Sequence, residues 1–183
     1  MPPDVLTDQV VRTIERGRYE RAEGRRAEKL IEPGDRITEL GAGLGFLSAL
    51  IMSRFDVADY QLVEADPRLA PLIRRTHELN GIDGPATIHT CVATCSRPLI
   101  EAGTVNLHVG QKFCASSLLG SSNELHEVAV PVVSLPELLG AARSNVLICD
   151  IEGAETDVFD GTPLPTVDRI LMELHVHRTG LDA

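Results

Sequence analysis

The chain has 183 residues, a formal net charge of −10, an aromatic share of 3% and no Trp. That length fits one domain with a substantial buried core, and the shortage of aromatics makes the core aliphatic and excludes a ligand cage built from rings. The negative field repels polyanions and argues against a nucleic-acid partner.

The opening residues, MPPDVLTDQV, have neither a cationic segment nor a long apolar run, so they do not read as a signal peptide. No stretch holds the ~18 consecutive apolar residues that a bilayer span needs. The expectation is a cytoplasmic protein with no membrane contact. Residues 5–31 read as helical, with a break near Gly17 or Gly24. The seven Lys and Arg residues from Arg12 to Lys29 are interleaved with Glu15, Glu20, Glu23 and Glu28, the pattern of a solvated helix face and not of a phosphate track.

After the Pro33-Gly34-Asp35 turn, short aliphatic runs alternate with amphipathic stretches, which predicts an α/β fold with a parallel sheet. Strands are expected over Arg36–Leu40, Tyr60–Glu64 and Ala86–Val92, with helices over Phe46–Arg54 and from Pro67 to Leu79, the latter closed by Asn80-Gly81. The region 96–133 interrupts the alternation. Val105–Val109 and Val128–Val133 read as two inserted strands joined by a loop carrying Phe113–Leu118. A helix over Pro136–Ala142, a buried strand over Val146–Ile151 and a last strand over Arg169–His175 complete the reading. Cys91, Cys95, Cys114 and Cys149 lack metal-finger spacing and read as buried thiols, and no metal is expected.

Three segments carry chemistry. The first is Glu39-Leu40-Gly41-Ala42-Gly43-Leu44-Gly45, where a strand gives way to a helix. Glycines there let the backbone turn sharply and approach a ligand. A dinucleotide site favours GxGxxG; here the third glycine comes one residue early and Phe46 stands where a small residue is expected. An acid at Glu39 is awkward beside a pyrophosphate and suits a cationic ligand such as the sulfonium of S-adenosylmethionine. The second is Glu64, 23 residues after Gly41, at a strand tip where a carboxylate can accept both hydrogen bonds of a ribose diol. Asp66, followed by Pro67, reads as a helix cap. The third is Asp150-Ile151-Glu152-Gly153-Ala154-Glu155. If the strand runs through it, Asp150 and Glu152 project together, roughly 6.6 Å apart, and either would serve as a general base. Glu173, His175 and His177 on the last strand would stand beside them.

With these segments in view, the chain resembles the FkbM-like class I methyltransferases over nearly its whole length. The matching features are Tyr19-Glu20, Pro33–Asp35, Glu39–Gly45, Val63–Pro67, Asn80-Gly81, Ala115–Leu118, Ser134–Leu139, Asp150–Glu155 and Glu173–His175. The resemblance implies a Rossmann-like sheet with helices on both faces and S-adenosylmethionine as cofactor. It implies methyl transfer, usually to a hydroxyl of a sugar or other small molecule. Glu39 and Gly41–Gly45 would surround the methionine part, Glu64 the ribose, and Cys91, Val92 and Ala93 the adenine, with Ala65 also among the cofactor-binding residues. Asp150 would sit near the sulfonium, with Asp150, Glu152 and His175 as candidate catalytic groups. Residues 1–32 would form a helical lid carrying Tyr19-Glu20. Members of the family continue past the last strand with a helix and a β-hairpin, which this sequence is expected to lack, leaving an edge that either the inserted strands or a second copy would cover. Two other functions are weighed: a non-catalytic S-adenosylmethionine-binding or assembly module, and an NAD-dependent dehydrogenase.

Overall fold

The computed structural model describes residues 7–110, 124–151, 155–159 and 161–174. In chain order they form α1 (Asp8–Glu15), α2 (Arg21–Leu30), β1 (Arg36–Leu40), α3 (Phe46–Met52), β2 (Asp59–Glu64) and α4 (Ala70–Leu79). There follow β3 (Ala86–Thr90), β4 (Val92–Thr94), α5 (Arg97–Ala102), β5 (Thr104–Gly110) and β6 (Glu124–Ser134). The last elements are α6 (Leu135–Ala142), β7 (Val146–Cys149), α7 (Glu155–Val158) and β8 (Arg169–Met172).

A five-stranded sheet in the order β3-β2-β1-β7-β8 is the centre of the fold, and every pairing in it is parallel. Parallel strands are covered on both faces, so they read as nearly continuous apolar runs, as Val146-Leu-Ile-Cys149 does. Alternate side chains divide the core in two. Ile37, Tyr60, Leu62, Val146 and Ile148 face Ala27 and Ile31 at the end of α2, Leu47 and Ile51 of α3, and Ile73 of α4. On the other face Leu40, Val63, Leu147 and Cys149 pack with Leu135 and Leu139 of α6 and Val158 of α7. This is the Rossmann-like α/β arrangement expected of the sequence, with helices on both faces.

A second, three-stranded sheet of order β4-β6-β5 carries the insertion. Its antiparallel β5–β6 pair buries Leu107, Val109 and Val130 against Val92, with Ala65 at the margin. The two inserted strands are present and longer than expected; Phe113–Leu118 lies outside the described residues.

Several element boundaries differ from those expected, and the break in the N-terminal helices falls at the first of its two expected places. The run Ala86–Val92 is two strands: β3 pairs with β2, and after Cys91 the chain leaves for β6 in the other sheet. A continuous β-prone run does not reveal such a change of partner. The helix expected from Pro67 begins at Ala70, because Asp66 and Pro67 are used in a turn in which the Leu69 amide donates to the Asp66 carbonyl at 3.0 Å. The strand expected through Ile151 ends at Cys149, and that expected through His175 ends at Met172. In the N-terminal helices the break falls at Gly17–Glu20; Gly24 is inside α2, where a Cβ would come within 2.6 Å of Leu50.

Candidate functional site

The chain runs outward from β1 to β2 and β3 on one side, then returns to place β7 and β8 on the other. Between β1 and β7 the order reverses, and open α/β sheets bind ligands outside the carboxyl ends of the strands at such a point. Here those ends are Leu40, paired with Cys149, and the segments that follow them, Gly41–Gly45 and Asp150.

The glycine loop is shaped by close contacts. Gly41 has φ +81, and a Cβ there would overlap the Asp150 carbonyl, so only glycine lets the two segments touch. The amides of Gly41 and Ala42 both donate to the Val63 carbonyl, at 2.9 and 3.2 Å. The Gly43 amide donates to Glu64 Oε2 at 2.8 Å. Glu64 Oε1 accepts from the Asp66 amide at 2.8 Å. Glu64 thus braces the loop from β2 while its carboxylate keeps lone pairs for a further donor.

Glu39 and Glu64 follow Ile37 and Leu62 at alternate positions, so both lie on the α2–α3 face of the sheet. Glu39 is buried, and its Oε2 accepts a 2.7 Å hydrogen bond from the Tyr60 hydroxyl. Burial raises the Glu39 carboxyl well above the usual range, with Glu20, Asp150 and Glu64 adding to the effect. Burial lifts Glu64 to about 7, against the pull of the Asp66 and Gly43 amides.

A cleft at the switch point is lined by Glu39, Gly41 and Asp150, by Met172 and Glu173 beyond β7, and by Glu20 above. The Glu173 amide donates to the Cys149 carbonyl at 3.0 Å, which holds this residue beside Asp150 as the sequence anticipates. Asp150 stands one residue past β7, not on it, so the strand spacing assumed for Asp150 and Glu152 does not apply. Glu152, His175 and His177 lie outside the described residues.

Glu20, which the resemblance assigns to the lid and not to the ligand-contacting set, lines the cleft. It has φ 47, a left-handed conformation uncommon for a side chain of its kind. Burial raises its carboxyl to about 7; a hydrogen bond with Tyr19 lowers it and the nearby Asp150 raises it. The N-terminal segment also covers the non-glycine members of the loop region. Val10 and Tyr19 pack on buried Leu44, and the Tyr19 ring meets Phe46 edge-on with centroids 5.6 Å apart. The helical break at Gly17 and the Tyr19-Glu20 match are the sequence signals for this segment.

The residues expected around the adenine diverge. Val92, with Ala65 at the margin, belongs to the apolar cluster under the β5–β6 pair. Cys91 and Ala93 turn the other way, into the cluster with Leu40, Val63 and Cys149. The Cys91 amide donates to the Glu64 carbonyl at 3.2 Å, joining this segment to the tip of β2. Burial raises the Cys91 thiol to about 11, so it is an inert apolar group at neutral pH. Among the described residues no group of three or more His, Cys, Asp or Glu is placed to hold a metal ion, and no helix is long and apolar enough to cross a membrane.

No family model matches the chain, and no curated protein matches it. Among solved structures it is similar to a SAM-dependent methyltransferase from Geobacter sulfurreducens, crystallised in complex with S-adenosyl-L-homocysteine. The identity is 16% and the TM-score 0.31, over 49% of this chain. The matched region spans 31% of that protein.

Proposed function

We propose that the chain binds S-adenosylmethionine at the switch point between β1 and β7 and methylates a hydroxyl group of a small molecule or sugar. The observation that best supports this reading is the meeting of a close-approach glycine loop with three carboxylates, Glu39, Glu64 and Asp150, at one reversal of strand order. A ligand with a sulfonium and an ammonium would draw the buried carboxyls of this set into their charged form, whereas a pyrophosphate would gain nothing from them. The residues fit the group. Gly41, where a Cβ would overlap the Asp150 carbonyl, and Gly43, with φ +53, shape the loop beside the cleft, and Glu64 offers a ribose diol its spare lone pairs. We propose kinship with the FkbM-like methyltransferases on the strength of the Asp150–Glu155 and Glu173–His175 segments.

When bound, S-adenosylmethionine supplies a methyl group on a positively charged sulfur. The chain's own groups would do the rest. Glu39 and Asp150 offset the positive charge, and the glycine loop aligns the donor with the acceptor oxygen. Asp150, Glu152 or His175 takes the hydroxyl proton as the new bond forms. The N-terminal segment, with Tyr19 on Phe46 and Glu20 at the cleft, acts as the lid that excludes water.

Calorimetric titration with S-adenosylhomocysteine tests the reading, with Glu64→Ala as the comparison. Saturable binding is expected for the native chain. Loss of hydrogen bonds to a charged acceptor should weaken it about 10- to 100-fold in the variant. A folded native chain that takes up no S-adenosylhomocysteine overturns the proposal. Binding leads to a screen of hydroxylated acceptors with labelled methyl donor; binding without transfer to any of them would favour a non-catalytic module.

A further inference from the structure

Beneath the glycine loop lies a buried hydrogen-bonded line that the proposed chemistry leaves unused. Gly45, the last glycine of the loop, has φ +70, and a Cβ there would stand 2.8 Å from Ile73 Cγ2 and 3.2 Å from Ile73 Cα. Helix α4 therefore lies directly against the loop. One turn further along the same face of α4 comes His77. Its Nε2 is 2.8 Å from Ser48 Oγ, and that oxygen is 3.1 Å from the Gly45 carbonyl oxygen. Ser48 is fully buried and His77 is 7% exposed.

Counting hydrogens orders the line. The Gly45 carbonyl can only accept, so the single hydrogen of the Ser48 hydroxyl goes to it. Ser48 must then receive, and His77 must donate from Nε2, which assigns the tautomer. Burial holds the His77 pKa below its usual value, in keeping with a neutral ring. The Gly45 carbonyl also accepts the Ala49 amide at 3.1 Å, the opening bond of α3. It is thus the joint where the loop becomes a helix. Without His77 the Ser48 hydroxyl has other rotamers open to it, and the joint loses one of its two donors.

We propose that His77 is a positioning residue for ligand binding: through Ser48 it fixes the Gly45 carbonyl, and with it the glycine loop that faces the ligand. The inference rests on the reading of that loop as the cofactor cradle. His77 and Ser48 stand 29 residues apart on two helices, and no spacing rule connects them.

Two variants separate positioning from packing. His77→Leu keeps the bulk and removes the donor, whereas His77→Gln places a side-chain N–H at similar reach. The readouts are S-adenosylhomocysteine affinity, Tm, and amide hydrogen exchange at Gly45–Leu47. The expected result is about tenfold weaker binding and faster exchange for His77→Leu, the worth of about one hydrogen bond. His77→Gln should stay within about twofold of the native chain even where the two variants share a lowered Tm. Ser48→Ala combined with His77→Leu should add little to either alone, since the groups act in series. Equal effects of Leu and Gln, or unchanged exchange at Gly45–Leu47 in His77→Leu, overturn the inference. A native chain that binds no S-adenosylhomocysteine but shows the exchange pattern retains the relay and overturns only the cofactor reading.

Discussion

Glu20, Glu39 and Glu64 have carboxyl groups removed from water, and burial is the first cause of the raised pKa in each. The consequence for stability has a definite sign. In the unfolded chain these acids titrate near 4.5, whereas Glu20 and Glu64 hold their protons to about 7 in the fold. Below 4.5 both states are protonated and the stabilisation is complete; between 4.5 and 7 the unfolded chain has released protons that the native chain retains. Stability of the ligand-free protein should therefore fall as pH rises through this window. Thermal unfolding followed from pH 5 to pH 8 checks it, and a Tm that rises over that range contradicts it. Glu20→Gln, which keeps shape and removes the titration, should flatten the slope. The left-handed backbone at Glu20 belongs to the same account, since strain of this kind persists where surrounding contacts over-determine it, here the Tyr19–Phe46 ring pair and the cleft itself.

At the scale of elements, a polar node opposite the cleft ties helix to sheet. Asp35 is buried just before β1, and its Oδ1 accepts from Asn145 at 2.9 Å and from Arg169 at 2.5 Å, while Oδ2 accepts the Glu32 amide at 2.7 Å. Arg169 also donates to the Leu30 carbonyl at the end of α2, at 2.5 Å. Asp35→Ala would leave a guanidinium and an amide without their acceptor and should cost about 3 kcal/mol. Chemical denaturation measures this, and a loss within ±0.5 kcal/mol, the usual range for a surface substitution, would refute it. The node also shows where sequence reading stops. Pro33-Gly34-Asp35 is legible as a turn, but Asp35 as the meeting point of three strands is not, because its partners lie more than a hundred residues away. The glycine loop, β1 and the apolar strands were legible because each is a local pattern imposed by burial or close approach. The change of sheet at Cys91, the Tyr60 hydroxyl on Glu39 and the end of β7 at Cys149 were not. Each depends on which strand comes to lie alongside, and a single run of β-prone residues carries no record of its neighbour.

At the scale of the molecule, β1 sits in the middle of the sheet with β2 on one side and β7 on the other. The cleft needs both. Residues 1–134 include the glycine loop and Glu64 but not Asp150 or the strand that forms the second wall. A chain cut after Ser134 should therefore bind no S-adenosylhomocysteine and should unfold without a sharp transition by circular dichroism. Binding at native affinity by such a fragment would show that the reversal of strand order is not what makes the site.

The same placement of β1 bears on how the protein comes into being. During synthesis the glycine loop leaves the ribosome about a hundred residues ahead of β7, the partner on its open side. Until β7 arrives, one edge of β1 and the apolar faces of β1 and β2 are without their final cover, in a topology whose long-range pairings close slowly. A nascent chain in that interval presents an uncovered strand edge to its neighbours and to chaperones, and its yield on expression should depend on the rate of translation between residues 40 and 150.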